Sequence, residues 1–140
     1  MQSAISKPNW AALQRTYVIG TSVASLAALV VTGLITALLG GGAKALALGE
    51  VALLIGVVIS FAPAIIGRNS ETFGITVLAA SIARMLTVLG IVIIAANVLD
   101  IPRRPVGLGV GAGLLLALIA EVMLALSVLS RADSSERLTA

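Results

Sequence analysis

The sequence predicts an all-α integral membrane protein, an up-down four-helix bundle that forms a single transmembrane domain over residues 1–140. Three observations carry that reading. Hydrophobic residues make up 59% of the chain and charged residues only 11%, whereas an ordinary soluble domain carries roughly 25% charged residues to cover its wet surface. Four apolar runs each reach the roughly 20 residues that a helix needs to cross a hydrocarbon layer about 30 Å thick. The connectors between the runs are short and rich in breakers, so consecutive helices are antiparallel neighbours.

The first run, about Tyr17 to Leu39, has no internal charge and is closed by Gly40-Gly41-Gly42, because glycine readily takes the left-handed conformation that ends a helix. A cleaved signal peptide is the competing reading of this run. It is disfavoured by the length of the run, the lack of a small-x-small cleavage site and the three further spans. The second run, about Ala43 to Ile66, holds Lys44 and Glu50 in its first two turns, and Pro63 bends or tightens its last turn. The polar turn Gly67-Arg68-Asn69-Ser70 follows, where Asn69 or Ser70 can cap the next helix and Glu71 suits its first turn. The third run, about Phe73 to Leu99, contains Arg84 and stops at Asp100-Ile101-Pro102-Arg103-Arg104-Pro105. Pro105 suits the first position of the fourth helix, about Val106 to Leu129, which contains Glu121. The tail from Ser130 to Ala140 is too polar to insert and reads as solvated, with room for a frayed helical extension.

The net charge is +3 and the isoelectric point about 10.2, yet the basic residues do not form a nucleic-acid surface. Apart from Arg103-Arg104 they stand singly at the edges of apolar runs, and the aromatic residues are only Trp10, Tyr17, Phe61 and Phe73. Lys7, Arg15, Arg68, Arg131 and Arg137 share one side of an up-down bundle, against Lys44, Arg103 and Arg104 on the other. Positive residues favour the cytoplasmic side, which places both termini there. Trp10 and Tyr17 near the start of the first helix either form an interfacial belt or stand there incidentally. The chain has neither cysteine nor histidine, so disulfides, zinc fingers, haem ligation and Cys or Ser/His nucleophilic sites are excluded. No catalytic residue, metal ligand set or cofactor site emerges, and the expectation is a non-enzyme.

Arg84, Glu121 and Glu50 form a candidate intramembrane charge cluster. A charge at a helix centre costs about 2.5 to 3.5 kcal/mol on insertion scales, so none of these should face lipid unpaired. Counted from the cytoplasmic ends at 1.5 Å per residue, Arg84 lies about 18 Å deep and Glu121 about 14 Å. A long guanidinium side chain spans that difference, and an Arg84–Glu121 pair between antiparallel helices follows. Glu50 lies about 24 Å deep; it either adds a second carboxylate to Arg84 or snorkels outward toward water and Lys44. Thr87, three residues after Arg84, shares its face, and Asn97 lies on the same helix. The pair either fixes helix register or contacts an ion, a lipid head group or another subunit. A proton relay is disfavoured, because a guanidinium holds its carboxylate ionised.

Helix four opens Gly107-Leu108-Gly109-Val110-Gly111-Ala112-Gly113. Gly107/Gly111 and Gly109/Gly113 present two faces without side chains, the feature that lets membrane helices approach closely. One face can take a helix of the same chain; the other can take helix one, with Gly20, Ala24 and Ala28 at the same spacing, or another protein chain, a second copy included. With no preceding strand and no lysine the glycines are not a phosphate loop.

These features together resemble ATP synthase protein I, a small four-span protein that accompanies bacterial rotary ATP synthases. The carriers are the apolar helix Gly56 through Pro63, the basic turn residue Arg68, the Phe73-Gly74 start, and a mid-membrane basic residue within Ala83-Arg84-Met85-Leu86. The resemblance covers about residues 17 to 130. The family often has an acidic residue three positions before its basic one; here Ser81 stands there, and residue 84 is Arg rather than Lys. Glu50 or Glu121 could supply the acid, which is an inference from this chain and not the family pattern. The resemblance implies an inner-membrane protein that assembles or stabilises the ATP synthase rotor ring, with magnesium handling as a further expectation and no enzyme activity.

The leading expectation is therefore an assembly factor or accessory subunit, immersed in the lipid bilayer, whose Arg84-centred cluster and glycine faces meet rotor or other membrane subunits. The alternative is a small four-span transporter or channel for ions or small solutes.

Overall fold

The computed structural model describes residues 9–137, with side chains described through residue 134. Lys7 and the side chains of Glu136 and Arg137, which entered the charge count above, lie outside the described residues. The helices are α1 (Trp10–Leu38), α2 (Ala43–Ser60), α3 (Ala62–Ile66), α4 (Ser70–Val98) and α5 (Arg103–Arg137). α2 and α3 together make the second span, so four helical segments are long and apolar enough to cross a membrane. The molecule is an all-α four-helix bundle with the build of a multi-pass membrane protein.

Local chemistry sets the ends of the helices. α1 starts at Trp10, ahead of the apolar run, because Asn9 Oδ1 accepts the Ala12 N–H at 3.2 Å and satisfies a donor that the first turn leaves free. At its other end Gly40 has φ +75°. The N–H of Gly41 donates to Thr36 O at 2.8 Å and that of Gly40 to Ala37 O at 3.0 Å, the paired bonds of a Schellman closure. The second span breaks at Phe61. Pro63 brings no N–H to the Ile59 carbonyl and its ring crowds the preceding turn, so a short α3 restarts there and ends where the Gly67 N–H meets Pro63 O at 2.9 Å. Asn69 caps α4, accepting the Thr72 N–H at 2.8 Å, with Glu71 in the first turn. α4 closes like α1, with the Ile101 N–H on Ala96 O at 3.0 Å, but the left-handed residue is Asp100, at φ 51°. Pro105 is the third residue of α5 and not the first; the whole first turn lacks intrahelical N–H partners, so the ring is accepted there equally well. The polar tail is helical, α5 running on to Arg137.

α1 packs most extensively on α5; α1 also meets α2, α2 meets α4, and α4 meets α5, while α2 and α5 touch across the short diagonal. The α1–α2 seam and the α4–α5 seam therefore lie on opposite sides of the bundle. Two apolar cores divide it by depth. Near the start of α1, Tyr17, Phe73, Val77, Ala125 and Val128 pack together, with the Tyr17 ring edge-on to Phe73 at 5.1 Å. Tyr17 is buried and so does not belong to an interfacial belt. At the far end Leu48, Ala52, Leu53, Val88, Val92, Val106, Val110 and Leu114 form the second core. A polar layer separates the two.

Candidate functional site

Arg84 is the middle residue of α4, with 14 helical residues on either side, which puts its charge at the depth where lipid tolerates it least. Its stem crosses α2 at Gly56. A Cβ there would come within 2.9 Å of Arg84 Cγ and 2.7 Å of Val88 Cγ2, so glycine is what makes room for the arginine. The guanidinium Nη1 pairs with Glu121 Oε1 of α5 and donates to Ser60 Oγ of α2 at 2.8 Å. Ser60 passes its own proton to Gly56 O at 3.3 Å. Ser81, one turn before Arg84, donates to the other carboxylate oxygen, Glu121 Oε2, at 3.0 Å. Arg84 and Glu121 are each 3% exposed.

α4 and α5 thus bring together Arg84 and Glu121, the two residues of matching depth. Glu121 supplies the carboxylate, and Ser81, at the position where the resembled family often has an acid, binds that carboxylate. The bundle's own helices enclose the pair, and Arg84 Nη1 finds both its acid and its hydroxyl partner inside the chain.

Glu50 does not join the cluster. On α2 it lies six residues beyond Gly56, hence about 9 Å deeper toward the far end and about 120° around the helix, and its carboxylate rests against Gly33 of α1 instead. Nor does it reach Lys44, which is exposed on a different face, six residues away. Among the described residues Glu50 has no hydrogen bond or ion pair, and it is only half-buried. Thr87 makes no bond to Arg84; Asn97 donates to Ile93 O at 2.7 Å and accepts from Arg103.

The two glycine faces of α5 have different fates. Gly109 and Gly113 lie against α1: a Cβ would fall 2.9 Å from Thr32 O at Gly109 and 3.0 Å from Ala28 O at Gly113. The closeness lets Thr32 Oγ1 donate across the interface to Gly109 O at 3.0 Å. Gly107 and Gly111 meet nothing within 4 Å. Gly111 floors a groove of about 250 Å³ between α4 and α5, walled by Met85, Leu89, Leu114, Leu115 and Leu118.

The sequence reading missed the inner face of α1. Tyr17, Thr21, Ser25, Ala28, Thr32 and Thr36 are all buried there, where Gly20, Ala24 and Ala28 were expected; of those, Gly20 presses on Leu124 and Ala28 on the Gly113 face. The signal was present as hydroxyl residues four and seven apart in an otherwise apolar helix. At the level of the charge pair this stripe contributes the buried Thr21, one turn from Tyr17; Nε and Nη2 of Arg84 are buried without a hydrogen-bond partner among the described residues.

No family model, curated protein or solved structure matches the chain.

Proposed function

We propose that the protein is a non-enzymatic accessory subunit or assembly factor of a membrane complex, of the kind that ATP synthase protein I represents, in an inner membrane with both termini cytoplasmic. The observation that carries this reading is the division of α5 into a filled and an open glycine face. Gly109 and Gly113 are consumed by α1, whereas Gly107 and Gly111 meet nothing within 4 Å and Gly111 lines an apolar groove. In lipid, close approach between helices is gained by such small-residue surfaces, and a neighbour's helix fits the open one. The buried charge pair supports the same reading from the other direction, since its acid and base neutralise each other and act as a register pin.

The test is copurification from native membranes in mild detergent with identification of the bound subunits. Rotor-ring subunits are expected with the native chain and are lost with Gly111→Leu, while the variant still inserts and unfolds at the native temperature. No bound subunit, together with solute flux in reconstituted vesicles, overturns the reading.

A second reading, a small transporter or channel, draws on the buried donors Nε and Nη2 of Arg84, which retain hydrogen-bonding capacity at mid-membrane. It requires flux that vanishes in Glu121→Gln.

A further inference from the structure

Two carboxylates, Glu50 and Glu121, lie well inside the ends of the membrane-spanning helices, and the fold treats them oppositely. Glu121 is enclosed and bonded through both oxygens. Glu50 stands seven residues inside the far end of α2, about 10 Å down the helix, half-buried on the α1–α2 seam and without a bonded partner among the described residues. A Cβ at Gly33 would lie 2.9 Å from Glu50 Oε1, so the carboxylate sits in the notch beside Gly33 and would have to shift if a side chain stood there. Among the described residues none of the positive groups of the far end pairs with it: Lys44 and Arg104 are exposed and make no ion pair, and Arg103 is held by Asn97. An unpaired carboxylate at this depth is costly, and such groups usually find a partner.

The seam has a second feature. One turn from Glu50 and one turn from Gly33, Leu54 and Leu29 begin a groove of about 280 Å³ that continues past Leu26 and Ser25 to Phe61. Its chemistry is mainly apolar: Leu26, Leu29, Leu54, Val57 and Phe61 line it, the Ser22 hydroxyl is spent on Val18 O at 2.8 Å, and Ser25 is buried. A single negative charge at one end of an apolar trough is complementary to an apolar helix with one positive charge.

Resting on the accessory-subunit reading, we propose that the α1–α2 seam docks a transmembrane helix of another protein that carries a lysine or arginine at the depth of Glu50. Glu50, seated in the Gly33 notch, takes the cation; the groove below takes aliphatic side chains one to three turns further along the partner helix. This face is opposite the Gly107/Gly111 face, so the bundle holds one neighbour on each side.

The experiment places a photo-crosslinking amino acid at Leu54 of the full chain in native membranes and sequences the adducts. The expected adduct is a transmembrane segment of another protein with Lys or Arg at matching depth. Its yield falls about tenfold or more in Glu50→Gln and in Gly33→Leu, as for a buried charge contact left without its partner, and returns when Glu50→Lys is combined with an acid at the mapped basic position. An unchanged yield in Glu50→Gln overturns the proposal, as do adducts only with lipid, with a second copy of this chain, or with a segment lacking a basic residue. Subunits that still copurify with Glu50→Gln through the α4–α5 face would leave the accessory reading standing while this inference fell; an unaltered melting temperature excludes misfolding as the cause.

Discussion

Ser81 Oγ lies 3.0 Å from Glu121 Oε2, on the carboxylate oxygen that Arg84 leaves free. The acid is thereby gripped twice by α4, from positions three residues apart on one helical face. That double grip aligns α4 with α5 at mid-depth, where apolar side chains gain little by leaving apolar lipid tails.

Removing one member of the pair should cost far more than removing both. Glu121→Ala leaves a buried guanidinium unpaired and is expected to destabilise by about 3–5 kcal/mol, whereas Arg84→Met with Glu121→Met should recover most of the loss. Thermal unfolding in detergent measures both. The swapped chain, Arg84→Glu with Glu121→Arg, should outlast either single change; no rescue would argue against direct contact.

Ser81→Ala should cost about 1.5–3 kcal/mol, the range for a hydrogen bond to a charged group. Ser60→Ala, which deprives Arg84 Nη1 of its second acceptor, should act similarly. A stability loss below about 0.5 kcal/mol in both would show that the charge pair holds without its hydroxyl supports.

Gly113→Leu and Gly111→Leu make a contrasting pair two residues apart. The first drives a side chain into Ala28 O and Thr32 of α1 and should destabilise by about 1–3 kcal/mol or more through overpacking. The second projects into open space and should leave the melting temperature of the isolated protein unchanged while abolishing partner capture.

Asp100 holds a left-handed backbone at φ 51° at the carbonyl end of α4, where a negative charge also meets the negative pole of the helix. Asp100→Gly removes both penalties and should stabilise by about 1 kcal/mol, read as a rise in melting temperature.

The four spans were legible because apolar length is a property of each segment alone, and the Arg84–Glu121 pair because two buried charges of opposite sign at matching depth have few alternatives. Glu50 was not, since depth says nothing of azimuth: its 120° offset from Gly56 takes it to α1. The hydroxyl stripe of α1 was hidden by an ambiguity of membrane helices. Serine and threonine often bond their own preceding turn, as Ser22 does to Val18 O and Thr76 to Thr72 O, and only the approach allowed by Gly109 turns Thr32 across to α5 instead. Which glycine face would be filled depended on that same approach and could not be read from two equivalent spacings.

The position of Arg84 at the midpoint of α4 also bears on how the chain is made. Its carboxylate is encoded 37 residues downstream, so at about 5–20 residues per second a ribosome needs roughly 2–7 s more before Glu121 exists. During that interval the third span carries a cation without its acid, at a cost of about 2.5–3.5 kcal/mol at mid-membrane. That cost is relieved only once the fourth span lies alongside, so the last two spans gain by settling into the membrane as one hairpin.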